Sequence, residues 1–104
     1  MTITLISQDQ YDFIKEVQEK HPILTFQNNG YEYIDKNKMT DDDKSAMQSV
    51  VDILKVHIEG FREFNNFTFN KKGELRIRLQ YAWDSSFTGV GYLKLDELLK
   101  GFKN

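Results

Sequence analysis

Three consecutive aspartates, Asp41, Asp42 and Asp43, are the side chains most suited to bind a metal ion, and Asp35 precedes them in the stretch DKNKMTDDDK. A calcium loop of the EF-hand type beginning at Asp35 requires an oxygen ligand at its fifth position, glycine at its sixth and glutamate at its twelfth. The chain has methionine, threonine and alanine at those positions, so the spacing does not fit. We therefore expect neither a metal site nor a cofactor.

The same aspartates fit the first turn of a helix. Thr40 is a favourable N-cap residue, and Asp43 three residues later completes a capping box. Carboxylates in the first turn interact favourably with the helix dipole, by about 0.3–1 kcal/mol each. One or two acidic residues suffice for that purpose, and a third repels its neighbours. Two interpretations stay open: helix capping alone, or an acidic docking patch that also includes Glu32 and Asp35.

No group of residues has the composition and spacing of a catalytic site. The chain contains no cysteine, which excludes a thiolate nucleophile, a disulfide and a cysteine-ligated metal site. His21 and His57 lie on or beside predicted helices, where a structural role is the common one. Ser85 and Ser86 fall in a predicted turn and outside a G-x-S-x-G motif. We expect a protein that is not an enzyme.

Residues 75–81 alternate between apolar and polar side chains, which predicts a β-strand with one buried face. If the apolar side chains face the core, Arg76 and Arg78 face outwards, beside Tyr92 and Lys94 of the next predicted strand. Cations next to a stacking ring on an open sheet indicate a single-stranded nucleic-acid-binding site as an alternative function. A solvated sheet face, where arginine is common, is the more frequent reason for such a pattern.

Aromatic residues make up 13% of the chain, more than a core of this size can bury. Six of them lie near predicted turns or strand ends, and four of these six are candidate partner-binding residues: Tyr31, Tyr33, Trp83 and Phe87. Tyrosine and tryptophan dominate binding hot spots because they offer a large contact area. Trp83 and Phe87 could anchor a partner at a hairpin tip, or they could close one end of the core.

The first half of the chain contains signals for two helices and a hairpin. A capping box at Ser7 begins a helix over about residues 8–20. Residues 23–35 predict a β-hairpin, because their central Asn-Gly pair favours a tight turn. A helix of about 20 residues begins at Thr40, and its stripe of apolar residues at three- and four-residue spacing continues to Phe61.

The second half predicts three strands and a short helix. The strands include residues 67–69, 75–81 and 90–95, and Asp96 caps a helix over residues 97–102. Short loops between these strands favour an antiparallel meander. The predicted fold class is therefore α+β: an antiparallel sheet, made of the N-terminal hairpin and the C-terminal meander, packed by one long central helix, with short helices at both ends.

Length and composition predict one soluble domain over residues 1–104. Residues 1–60 carry a net charge of −5 and residues 61–104 a net charge of +3, which predicts a polarised surface or internal pairing of the two halves. The sequence predicts neither a signal peptide nor a membrane-spanning helix, because its first residues include no basic region and no run of about 18 apolar residues occurs in it. We expect a cytoplasmic protein that does not enter a membrane.

These features favour a small protein that inhibits another protein by binding it. In composition, as a small, acidic, cysteine-free α+β protein, the chain is similar to toxin-immunity proteins and phage-encoded anti-defence inhibitors, although no specific motif carries that likeness. An acidic face from Glu32 to Asp43 would dock on a basic partner, since complementary charge speeds association. The alternatives are the nucleic-acid-binding site described above and a non-catalytic homodimeric structural or regulatory subunit joined at an open sheet edge.

Overall fold

A computed structural model describes residues 3–26, 36–84 and 87–101 of the chain. The α-helices in these residues are α1 (Gln8–Lys20), α2 (Asp41–His57) and α3 (Leu95–Lys100), and two short 3-10 helices cover Pro22–Leu24 and Lys36–Lys38. The strands are β1 (Thr25–Phe26), β2 (Phe61–Phe69), β3 (Leu75–Asp84) and β4 (Phe87–Lys94). Helices that pack against an antiparallel meander confirm the predicted α+β class.

Both predicted capping boxes are confirmed. At α1, the Ser7 hydroxyl accepts a hydrogen bond from the Gln10 backbone N–H, and the Gln10 side chain accepts one from the Ser7 N–H. At α2, the Thr40 hydroxyl accepts from the Asp43 N–H at 3.1 Å, and the Asp43 carboxylate accepts from the Thr40 N–H at 2.9 Å. These reciprocal bonds satisfy backbone donors that have no partner within the helix.

The prediction that the long helix continues to Phe61 is wrong. The helix ends at His57, and Ile58 has extended backbone angles and forms an isolated β-bridge with Ile3. Gly60 has a φ of +79°, which turns the chain so that Phe61 begins β2. Ile58 and Phe61 keep the helical spacing by coincidence. Ile58 is buried and Phe61 partly buried, but both have extended backbone and not helical backbone.

The start of the last helix also differs from the prediction. Asp96 is not its N-cap: the cap position is Lys94, without a side-chain hydrogen bond, and Asp96 lies in the first turn of α3. There its carboxylate accepts a hydrogen bond from the Tyr11 hydroxyl at 2.7 Å, which ties α1 to α3. This bond and burial raise the pKa of Tyr11 to about 12.

The sheet has the strand order β1-β2-β3-β4, and its last three strands form the predicted antiparallel meander. Strand β1 pairs in parallel with β2, with Thr25 opposite Phe67. The turn and the second strand of the predicted N-terminal hairpin fall on residues 27–35, outside the described residues.

One face of the sheet forms the core with the three helices. Leu75, Ile77 and Leu79 of β3 are all buried, as the alternation predicted. Phe64 and Phe67 of β2 lie beside them, with ring centroids 4.9 Å apart in an edge-to-face arrangement. From the helices the core receives several fully buried side chains: Ile14, Val50, Leu54 and Leu98. Because strand side chains alternate, the polar residues of β3 must lie on the other face.

Candidate nucleic-acid interface on the sheet

The four predicted basic-strand residues are brought together on one face of the sheet. Arg76 pairs with Lys94 across β3 and β4, and Arg78 pairs with Tyr92 two residues further along. Paired residues of an antiparallel sheet project to the same side, with Cβ atoms about 4.5–5.5 Å apart. We call Arg76, Arg78, Tyr92 and Lys94 the basic face. It lies opposite the helices, which pack on the buried face.

Strand β2 places two polar residues next to the basic face: Thr68, which the sequence also predicted on this outer side, and Asn66, which is only 3% exposed. Thr68 is opposite Arg76, and Asn66 is opposite Arg78. A register shift at Asn65 brings Asn66 into that position, although Phe67 next to it faces the core. Such a bulge depends on pairing with a distant strand, so no local pattern signals it.

Tyr92 is the centre of the basic face. Its ring is half-exposed, and the guanidinium carbons of Arg76 and Arg78 each lie 5.9 Å from its centroid. At exposed sites such cation–π contacts contribute about 0.5–1 kcal/mol each. They hold two flexible arginines near the sheet, which lowers the entropy that a ligand must remove when it orders them.

Lys94 is held at the margin of the basic face by an ion pair. Its ammonium nitrogen lies 3.4 Å from a carboxylate oxygen of Glu74, and both side chains are partly exposed. A hydrogen bond from the Asn70 side chain, and then the charge of Lys94, hold the pKa of Glu74 below its ordinary value. Ion pairs at a surface contribute at most about 1 kcal/mol, so a phosphate can readily replace the carboxylate as the partner of Lys94.

The fold separates the acidic and basic parts of the chain. Helices α1, α2 and α3 contain ten carboxylates and five lysines, a net charge of −5. Strands β2, β3 and β4 contain four cations and two carboxylates, a net charge of +2. The asymmetry between the two halves of the sequence therefore becomes an asymmetry between an acidic helical layer and a sheet with a basic face.

The carboxylate of Asp43, which the sequence assigned to the acidic docking face, makes contacts within the fold. Besides capping α2, its carboxylate lies 2.7 Å from Nδ1 of His21, and the two side chains are largely buried. The hydrogen bond with His21, followed by that from the Thr40 N–H, holds the pKa of Asp43 below its ordinary value. Asp41 and Asp42 are exposed, while Asp42 lies 3.8 Å from Nε2 of His21.

Other predicted partner-binding residues are only partly placed. Glu32, Asp35, Tyr31 and Tyr33 lie outside the described residues. The backbones of Trp83 and Phe87 belong to β3 and β4 next to the hairpin tip, but their side chains also lie outside the described part of the chain. Their role in binding stays a prediction.

A groove of about 350 Å³ separates α1 and α2 on the acidic side of the molecule. Phe13 and Ala46 supply apolar surface, and Glu16, His21 and Asp42 form polar parts of its wall. Phe13 is 37% exposed. An exposed ring beside carboxylates suits a partner with apolar and cationic side chains.

Within the described residues, no group of three or more histidine, aspartate or glutamate side chains could hold a metal ion. None of the described helices has the length and apolar character needed to cross a membrane. Comparison with known proteins matches the chain to no protein-family model, no curated protein and no solved structure.

Proposed function

We propose that this protein is a non-catalytic binding protein whose basic face binds single-stranded nucleic acid. The supporting observation is the juxtaposition of two arginines, a lysine and a half-exposed tyrosine in two adjacent cross-strand pairs, opposite the helical layer. Proteins that bind single strands without strong sequence preference combine cations along the backbone with aromatic rings on which bases stack. The basic face offers both components on one surface.

Each residue type has a distinct role in this proposal. Arg76, Arg78 and Lys94 neutralise phosphates, and the guanidinium groups can donate two hydrogen bonds to one phosphate. Tyr92 stacks on a base, which requires a strand whose bases are not already stacked and paired in a duplex. With one ring and no fixed set of base-edge contacts, the surface favours single strands over duplexes and discriminates weakly between sequences.

The acidic helical layer does not prevent this binding. The molecule measures 27 Å along its shortest axis, and the helices pack on the face of the sheet opposite the basic face. At an ionic strength of about 0.1 M the Debye length is about 10 Å, so charges on the far side are largely screened. An overall net charge of −2 is therefore compatible with local attraction of phosphate.

Fluorescence anisotropy of a labelled oligonucleotide tests this proposal. A length of about 12 nucleotides lies within the usual site size of single-strand binders. We expect a dissociation constant that rises with salt, with a log–log slope of about 2, because three phosphate contacts release about 0.7 counterion each from a single strand. The matching duplex should bind more weakly. Absence of binding at low salt, or affinity that salt leaves unchanged, would contradict the proposal.

A second candidate function is inhibition of another protein, in the manner of toxin-immunity or anti-defence inhibitors. The α1–α2 groove favours it, since exposed Phe13 lies beside Asp42 and Glu16 there. In this proposal Phe13 anchors the partner, and the acidic rim attracts its basic surface. Either function is compatible with the expectation of a cytoplasmic, non-enzymatic protein.

The variant Asp42→Lys tests this second function, and Asp52→Lys is its matched control, because both residues are exposed on α2 and only Asp42 lines the groove. The simultaneous reversal of all three aspartates is unsuitable, since Asp43 caps the helix and contacts His21. In a nuclease-treated lysate of the source cells, we expect one stoichiometric protein partner that Asp42→Lys loses and Asp52→Lys retains. Equal retention by both variants would exclude the groove as the docking site.

A further inference from the structure

The outer edge of β4 is unpaired among the described strands, since β4 is last in the strand order and its neighbour there is β3. Along this edge of the eight-residue strand, the backbone N–H and C=O groups that point away from β3 have no partner in the described strands. Natural proteins block such edges with charges, prolines or bulges, because an open edge can pair with another strand. Strand β4 has no proline, and its one charge, Lys94, is its last residue.

The sequence of β4 is nearly symmetric about Val90. Glycines occupy positions 89 and 91 on either side, followed by Thr88 and Tyr92. Val90 and Tyr92 are 46% and 50% exposed, so apolar surface accompanies the open backbone edge. An antiparallel pair of identical strands is related by a two-fold axis, and an axis at Val90 places an uncharged, exposed side chain at its centre.

We propose that a second copy of this chain pairs with β4 in an antiparallel arrangement about a two-fold axis at Val90. Each Val90 then contacts Val90 of the partner subunit, and Gly89 lies opposite Gly91 of the partner subunit. The two Lys94 side chains lie about 27 Å apart along the strands, at 3.4 Å per residue, so they do not repel each other strongly. A parallel arrangement would instead place these like charges side by side.

This inference does not depend on the proposed nucleic-acid binding, but it extends the same surface. Residues paired across an antiparallel edge project to one side, so the basic faces of both copies lie on the same face of one continuous sheet. One strand pair buries less than the roughly 1,200–2,000 Å² of a stable protein interface. The dimer is therefore weak and concentration-dependent.

Analytical ultracentrifugation of the full chain over a range of concentrations tests this pairing without any nucleic acid. We expect the mass to rise from 12.3 kDa towards twice that value for the natural chain. The variant Val90→Lys should stay monomeric, since lysine at an edge opposes pairing and two lysines would meet at the axis. Val56→Lys is the matched control, because Val56 is 76% exposed on α2, and it should dimerise normally.

Disulfide trapping provides a second readout that also tests the register. The chain has no cysteine, so Val90→Cys introduces a unique thiol. Opposed strand residues have Cα atoms about 4.5–5.5 Å apart, within the range that a disulfide spans. Oxidation should trap a covalent dimer of Val90→Cys and not of Lys72→Cys, which lies in an exposed turn. A monomeric natural chain at all concentrations, or equal trapping of both variants, would overturn the inference.

Discussion

Replacement of both Arg76 and Arg78 by glutamate is expected to weaken binding of a single-stranded oligonucleotide by about 100-fold or more. Hydrogen bonds to charged groups contribute about 1.5–3 kcal/mol each, and 1.4 kcal/mol corresponds to a tenfold change in affinity. Both arginines contact the ring of Tyr92, so their loss also removes groups that surround the stacking position. The effect is measured by the same anisotropy titration at a fixed, low salt concentration.

Two control variants separate a local effect from the change in net charge. Lys44→Glu combined with Lys55→Glu changes the net charge equally, but both lysines are exposed on α2 in the acidic layer. That variant should bind within a fewfold of the natural chain. The variant Arg76→Gln combined with Arg78→Gln removes the two positive charges without reversing them. This variant should lose most of the affinity for the oligonucleotide. Equal losses in the arginine and lysine variants would show that net charge alone governs binding.

Replacement of Gly60 by alanine is expected to cause the largest loss of stability from a single added methyl group. Gly60 has a φ of +79°, and a Cβ atom there would lie 2.5 Å from the carbonyl oxygen of Ala82. That oxygen belongs to the backbone of β3 and cannot rotate away. Left-handed backbone costs a non-glycine residue about 1–2 kcal/mol, and overpacking adds about 1–3 kcal/mol. We expect Gly60→Ala to lower the free energy of unfolding by about 3 kcal/mol, measured by urea denaturation.

Gly73 provides a matched control for this substitution. Its φ of +80° is nearly the same, but nothing lies within 4 Å of the Cβ position in its turn. Gly73→Ala should therefore cost only the conformational term of about 1–2 kcal/mol. The difference between the two variants measures the contact between Gly60 and β3, where the Ala82 N–H donates to the Gly60 carbonyl at 2.8 Å. If Gly60→Ala and Gly73→Ala lowered the free energy of unfolding equally, the prediction would be wrong, because the backbone of β3 would then move away from the added methyl group without cost.

Local signals in the sequence predicted much of this fold. Each capping box is encoded within four residues, so the starts of α1 and α2 were predicted correctly. The strict alternation of residues 75–81 predicts a strand with one buried face, and Leu75, Ile77 and Leu79 are buried. The same alternation assigned Arg76 and Arg78 to the outer face. Short loops between the last three strands were sufficient to predict the meander.

Features that depend on distant pairing were not predictable in the same way. The end of α2 is determined by Gly60 and by the bridge between Ile3 and Ile58, which join segments far apart in the sequence. The parallel pairing of β1 with β2 likewise has no local signature. For Asp43, the sequence indicated the helix cap, while its contact with His21 on another segment became visible only in the fold.

The most direct test of the central claim is an amide chemical-shift titration of the isotope-labelled protein with a single-stranded oligonucleotide. Binding through the basic face predicts shifts concentrated at Arg76, Arg78, Tyr92 and Lys94, with little change in the first turn of α2. Shifts concentrated instead around the α1–α2 groove, or no shifts at saturating oligonucleotide, would contradict the assignment of nucleic-acid binding to the basic face.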